Sequence, residues 1–436
     1  MGSVFVRVTL PLAGLNFVNQ AARGVMTVIG PVLAVQYGLS ATELGLLASV
    51  LFFAYCLWQL PVGVLLDIYG PRRVQTGMGL MATAGFALFA VSDGLAGFML
   101  ARAMIGVGIA AGLMAVLKAN SQFFPRAQVA GVTGIAMFLA ATGSLAATAP
   151  VQALLPAIGW RAVFWILVAI TLAVTLWVFT SVQDRPSTAR RGWQAEGRVI
   201  AAIAANANFW RMTPMVALMS IFTFTYHGLW TGPWLRDVAG MDGQTRAAAL
   251  FCYALGMMAG NLVIGQLASR LQMRGYSAML MPAISAVAML AIQAGLLLGP
   301  TDFVTVTALW TALAISAAAG VPGYAAIAQL FPVEQTARVS TVINTLVLGG
   351  AFAMQSLIGW ILDLWPRTAS GGWQPAGYRW ALGLSMGMQV AALAWAASRR
   401  RARGQAPGAG SGTNLIAGPG CSIHDPRGEK FGESRT

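Results

Sequence analysis

Residues 63–73 read GVLLDIYGPRR, and the fold turns on how this stretch interrupts its surroundings. Before it lies a mostly apolar run from about 42 to 66, and after it another from about 74 to 92. Crossing a hydrocarbon core of about 30 Å takes about 20 apolar residues in helix, so the stretch reads as a tight polar turn between two membrane crossings. Gly70 supplies the freedom such a turn needs, and Asp67, Arg72 and Arg73 stand at its water-facing end. The same alternation of long apolar runs and short charged turns continues in both directions. It gives twelve runs, near 7–36, 42–66, 74–92, 97–118, 128–152, 161–182, 210–234, 246–269, 276–298, 303–328, 339–362 and 378–397. Their apolar residues are spread around the helix and are dominated by alanine, leucine and glycine, which suits membrane helices and not barrel strands. The first run is too long for a signal peptide and carries Asn16, Asn19 and Arg23, so it counts as a span.

Composition agrees. Of 436 residues, 57% are hydrophobic and 9% charged, with mean hydropathy +0.70, whereas soluble domains carry roughly 25% charged residues. This excludes a soluble enzyme. The net charge of +14 would suggest nucleic acid in a soluble chain, but its placement reports topology. With the N-terminus inside, 20 Lys and Arg fall in cytoplasmic segments and 5 in outer loops. That is the positive-inside bias, and it predicts a multi-pass protein with both termini in the cytoplasm. Three scattered cysteines and two histidines offer neither a disulfide framework nor a metal site. No phosphate loop, zinc motif or nucleophile elbow appears, so no ATP-driven step, hydrolysis or cofactor is expected.

The charged segment QDRPSTARRGWQAEGR divides the runs six and six. The expected organisation is an N-terminal bundle (1–182), a cytoplasmic linker (183–209) with a short surface helix near 199–207, a C-terminal bundle (210–397), and a disordered basic tail (398–436). The halves repeat in sequence: SQFFPRAQVAGV at 121–132 aligns with AQLFPVEQTARV at 328–339, GVLLDIYGPRR takes the place of GQLASRLQMRG at 265–275, and GWR at 159–161 echoes GYR at 377–379. Two similar bundles about an axis along the membrane normal place a solute site between them near the midplane.

On these residues the chain resembles the major facilitator superfamily, loosely its organic-anion and sugar-phosphate permease branch. GVLLDIYGPRR resembles that superfamily's loop signature, and RAMIGVGIA in the fourth run its Arg-x3-Gly-x-Gly-x-Ala pattern. The resemblance implies an all-α fold of twelve transmembrane helices in two pseudo-symmetric six-helix bundles, and secondary transport by rocking of the bundles. It also implies a conformational latch formed by Gly63, Asp67, Gly70, Arg72 and Arg73, with Asp67 drawn to the start of span eleven near Val339. Gly63 is expected at a close helix approach. The plainer reading of Arg72 and Arg73 is topology enforcement. Ser269 stands where the second half could carry an acid, so an equal second latch is not expected. Further glycines (Gly131, Gly134, Gly256, Gly260, Gly265, Gly349 and Gly350) read as packing positions.

Within the spans only Arg23 and Arg102 are charged; all 13 Asp and Glu fall in loops, tails or span ends. An ionisable residue at membrane depth is a functional candidate, and a cavity with arginine and no carboxylate favours anions. Arg23 is therefore the expected substrate-binding residue, with Asn19, Tyr226 and Trp230 around it; its bland alternative is an arginine satisfied by helix carbonyls or by Asn19 and Gln20 on neighbouring turns. Arg102 is expected either in proton coupling or substrate access, as the resemblance implies, or in packing beside Gly106 and Gly108. His227, the one histidine in the spans, titrates near neutrality in its ordinary state and is the expected proton carrier, against a packing role. Pro233 is expected to break or end span seven. Members of the branch that carry glycerol 3-phosphate pair a first-span arginine with another in span seven; here Tyr226 or His227 stands there, which leaves a monocarboxylate or other weak anion open. The partners expected are a small solute, the lipid bilayer and a proton, with no nucleic acid and a monomeric chain. The reading is a symporter of an organic anion; the alternatives are a drug or metabolite exporter of the same fold and a transporter-like solute sensor.

Overall fold

The computed structural model describes residues 4–184, 193–332, 335–368 and 371–401. Its helices are α1 (Phe5–Gln36), α2 (Ala41–Leu66), α3 (Ile68–Val91), α4 (Leu95–Phe123), α5 (Arg126–Ala146) and α6 (Ala149–Ser181). A short helix α7 (Trp193–Ala204) follows. Then comes α8, in three joined parts: Ala207–Thr225, a π-turn Tyr226–Trp230, and Thr231–Asp237. The last five are α9 (Gly243–Met273), α10 (Leu280–Leu297), α11 (Phe303–Ala328), α12 (Thr336–Leu362) and α13 (Pro375–Arg401). The described residues contain no strand.

The expected spans are thus α1–α6 and α8–α13. Ten of the helices are long and apolar enough to cross a membrane. The other two spans, the fifth and seventh, are interrupted. α5 ends at Ala146, and its course continues into α6 until Gly159, at φ +74°, turns the chain back. The surface helix expected near 199–207 lies earlier, at Trp193–Ala204, because Asn206 starts a new helix by accepting from the Asn208 amide at 2.9 Å. Linker residues 185–192 and the expected tail from 402 onward lie outside the described residues.

Side chains cap several helix starts, giving partners to amides that the helix itself leaves free. Ser40 and Glu43 form a reciprocal capping box at α2 (3.1 and 2.8 Å), and Asp242 and Asp302 cap α9 and α11 through Thr245 and Thr305, each at 2.8 Å. Packing between helices uses small residues, because lipid gives no hydrophobic drive for association. Gly106 lies on the Leu51 carbonyl, Gly143 on that of Phe17 and Gly359 on that of Ala41, positions with no room for a Cβ. Large apolar side chains such as Leu172, Leu176 and Trp165 cover the outside. Of the glycines expected to pack, Gly256, Gly260 and Gly350 do, against Thr311, Ile315 and Ile221, and Gly349 lies near the Cys56 sulfur. Gly131, Gly134 and Gly265 do not, and neither does Gly63: a Cβ on any of them would meet nothing within 4 Å. Among the described residues the close helix approach expected at Gly63 is absent.

Three seams join the first six spans to the last six: α2 along α12, α1 against the π-turn of α8, and α9 against α5 and α6. They bring the middle of α1 and the π-turn of α8 to one point, where the site lies.

Candidate solute cavity between the halves

Arg23 sits on α1, half-buried, facing a small cavity lined by Gln20, Arg23, Phe52, Ser144, Phe224, His227, Gly228 and Met257. These residues come from α1, α2, α5, α8 and α9, so both halves build it. The free volume is about 30 Å³, room for one or two waters. The guanidinium is held among rings, 4.8 Å from the centroids of Tyr55 and Phe224 and 5.8 Å from that of Phe52. Phe52 and Phe224 stack at 5.8 Å across the two halves. Such contacts stabilise a desolvated cation by up to about 2 kcal/mol each. Arg23 Nε is buried without a hydrogen-bond acceptor, and among the described residues no carboxylate pairs with the group. It is not an arginine satisfied by helix carbonyls; that description fits Arg102.

Arg102 is fully buried and donates to three main-chain carbonyls: Ala22 at 2.8 Å, Ala48 at 3.1 Å and Leu47 at 3.4 Å. It pins α4 to α1 and α2, and it does not line the cavity.

His227 projects from the π-turn into the cavity. Its ring stacks on Tyr253 at 5.3 Å, nearly parallel, and Nε2 lies 3.3 Å from Ser144 Oγ of the other half. Its carbonyl accepts from Thr27 Oγ1 on α1. Gly24 leaves room for the ring: a Cβ there would lie 3.4 Å from Nε2. The π-turn has a local cause. Pro233 lacks an N–H and crowds the carbonyl four residues back, so the helix widens upstream at Tyr226–Trp230. α8 then continues helical through Pro233 to Asp237, so the expected break at the proline is replaced by this widening. π-turns recur at functional sites because they re-aim side chains.

The other expected site residues stand apart. Asn19 is buried beside the site, reaching Asn16 at 3.2 Å, the Ile109 carbonyl at 3.3 Å and Tyr55 Oη at 3.4 Å, and so touches the Arg23 cage through Tyr55. Tyr226 turns into the second half, bonded to Ser385 at 2.9 Å and packed on Trp310. Trp230 packs on Trp373 and donates to the Gln355 carbonyl at 3.1 Å. Neither lines the cavity. Phe52, Tyr55, Phe224, Ser144 and Met257 were not singled out from sequence; as common residue types in apolar runs they carry no local signal.

On the face opposite the linker the two halves are joined at the ends of α2 and α12. Asp363, at the end of α12, accepts from the first amides of α2, Ala41 at 2.9 Å and Thr42 at 2.7 Å. Arg367 donates to the Leu39 carbonyl. The seam continues through Ser49 with Ser356 (2.9 Å), Phe53 with Phe352, Cys56 with the Thr345 carbonyl and Gln59 with Asn344. On the linker face, Gly70 breaks the chain between α2 and α3 at φ +80°. Asp184, just past α6, fills the space beside Gly70 and accepts from the Arg72 amide at 2.7 Å. Arg72 donates to the Phe179 carbonyl at 2.7 Å and lies over its ring; Arg73 reaches Asp184 at 4.0 Å. Both arginines thus engage the end of α6 in their own half. The side chain of Asp67, the expected latch acid, lies outside the described residues.

Two helical halves packed around a cavity between them, with an apolar exterior and cross-half seams, fit a membrane transporter of small solutes. The chain belongs to the Major Facilitator Superfamily, whose profile matches residues 12–346. It is 26% identical over 386 residues to the uncharacterized transporter YybO of Bacillus subtilis, covering 81% of this chain and 86% of that one. It is 24% identical over 364 residues to a putative tartrate transporter of Agrobacterium vitis, covering 77% and 81%. The crystal structure of a bacterial homolog of the human lysosomal transporter Spinster, in an inward-facing and unoccupied conformation, superposes with TM-score 0.75 at 17% identity, covering 94% of this chain and 100% of that one. These relatives are transporters and not enzymes.

Proposed function

We propose that this transporter moves a small organic anion, driven by protons, from the face opposite the linker to the linker face, which is the cytoplasmic side of the plasma membrane. The observation that carries the reading is Arg23: a cation at the midplane, caged by rings, with a free N–H at the cavity and no carboxylate to neutralise it. In a site of low dielectric such a group favours an anion strongly. The similarity to a putative tartrate transporter supports the same substrate class. His227 is the coupling group in this reading, since it faces the Arg23 cavity and touches both halves through Ser144 and Thr27; an arriving anion would favour its protonated form. The closed Asp363–Ala41 seam supports a state open toward the linker, and alternation then requires that seam to part. The test is uptake of tartrate and other organic anions into proteoliposomes under an imposed pH gradient. Uptake accelerated by an inward proton gradient supports the reading; uptake indifferent to it removes the proton.

A further inference from the structure

Gln355 on α12 is fully buried, and neither Oε1 nor Nε2 of its carboxamide has a hydrogen-bond partner. A buried amide with both ends unpaired costs stability, and such groups persist where they do work elsewhere. Its main chain is fixed in place: the carbonyl accepts from Trp230 and lies 2.7 Å from where a Cβ on Gly45 would stand. Its side chain ends beside the cavity. Nε2 lies 2.9 Å from where a Cβ on Gly228 would stand, and the same point is 3.6 Å from the ring of Phe52. Gly228 and Phe52 both line the cavity. Gln355 does not itself line the cavity; the buried backbone of residue 228 and the Phe52 ring, which do line it, are what separate the carboxamide from it, and the lack of a side chain at 228 makes that partition a thin window.

We propose that Gln355 is a specificity-determining residue that binds a hydroxyl group of the solute through this window, so that the substrate class is a hydroxylated organic acid. The inference rests on the anion reading, with Arg23 holding the acid group. A carboxamide offers N–H donors and a carbonyl acceptor. A second carboxylate only accepts and would leave Oε1 unpaired, whereas a hydroxyl donates and accepts and satisfies both ends.

The experiment measures binding of two matched pairs, tartrate against succinate and lactate against propionate, to the purified full-length protein, together with its melting temperature. The wild type is expected to prefer the hydroxylated member by about tenfold or more, the scale of one well-placed hydrogen bond. In Gln355→Met that preference is expected to fall to near one while the melting temperature rises, because an unpaired buried amide is removed. Gly228→Ser, which covers the window from the other side, is expected to abolish the preference with Gln355 intact. Wild type that binds both members equally, a preference that survives in Gln355→Met or Gly228→Ser, or a melting temperature that falls in Gln355→Met overturns the role of Gln355 while leaving the anion reading in place. Wild type that binds none of the four acids overturns both.

Discussion

Arg23 and Arg102 show what separates two arginines within the spans of the same chain. Arg102 spends its donors on three carbonyls and ties three helices together; Arg23 keeps a donor free and lies among rings. In Arg23→Gln, anion affinity is expected to fall roughly ten- to a hundredfold, the worth of a charge-assisted hydrogen bond, with the melting temperature little changed. Isothermal titration with tartrate checks this, and unaltered affinity would remove the residue from the site. Arg102→Met is expected to do the reverse: a stability loss of roughly 1.5–3 kcal/mol and an unchanged pH profile of uptake in the folded fraction. A shifted profile there would instead support the coupling role the fourth-span pattern implies. Arg23 was legible in sequence because a charge in the middle of an apolar run is conspicuous. Its ring cage was not, since Phe52, Tyr55 and Phe224 lie on other helices and any of 20 phenylalanines could have been the neighbour.

At the level of helices, the starts and breaks carry the conformational argument. Asp363 caps α2 across the boundary between the halves, a contact that exists only while that face is closed. Asp363→Ala is expected to shift the balance toward opening there by about 2- to 30-fold, the range of an N-cap deletion. Thiol labelling of a cysteine placed at Ser49, fully buried in the closed seam, would read it, and labelling rates equal to those of the parent would contradict it. Asp242 and Asp302 cap α9 and α11 outside the bilayer, and hydrogen bonds from Thr245 and Thr305 hold their carboxyls below the usual aspartate range. A depressed folded value means the contribution is present above the unfolded value and is lost as pH falls through the folded one. Melting temperature should therefore drop as pH falls below about 4, and the double variant Asp242→Asn, Asp302→Asn should flatten that part of the curve. The loop signature at 63–73 was readable as a turn because Gly70 and Pro71 punctuate it. Its partner Asp184 was not, being 114 residues further along the chain from Gly70 and brought to it only by the return of α6.

For the molecule as a whole, one histidine of the cavity touches the other half twice: His227 meets Ser144 through its ring and Thr27 through its carbonyl. His227→Gln is expected to keep anion binding within a few-fold but to remove the acceleration of uptake by a proton gradient, leaving exchange of anion for anion; gradient-driven uptake that persists would exclude this histidine as the proton carrier. Binding and coupling are thus measured on separate observables, so the two groups facing the same cavity can be told apart.

The sequence by itself determined the helical membrane fold, because a bilayer accepts a backbone only when each segment satisfies its own hydrogen bonds, and about 20 apolar residues between charged turns is that rule written in one dimension. It also determined where charge is scarce, and so pointed to Arg23. Tertiary structure alone decided which arginine is satisfied, that Tyr226 and Trp230 turn away from the cavity while Phe52 and Phe224 enclose it, and that Gln355 lies behind Gly228. Those are relations between helices packed through residues with no directional signal of their own: glycine, alanine and leucine allow many rotations, and only their mutual fit selects one.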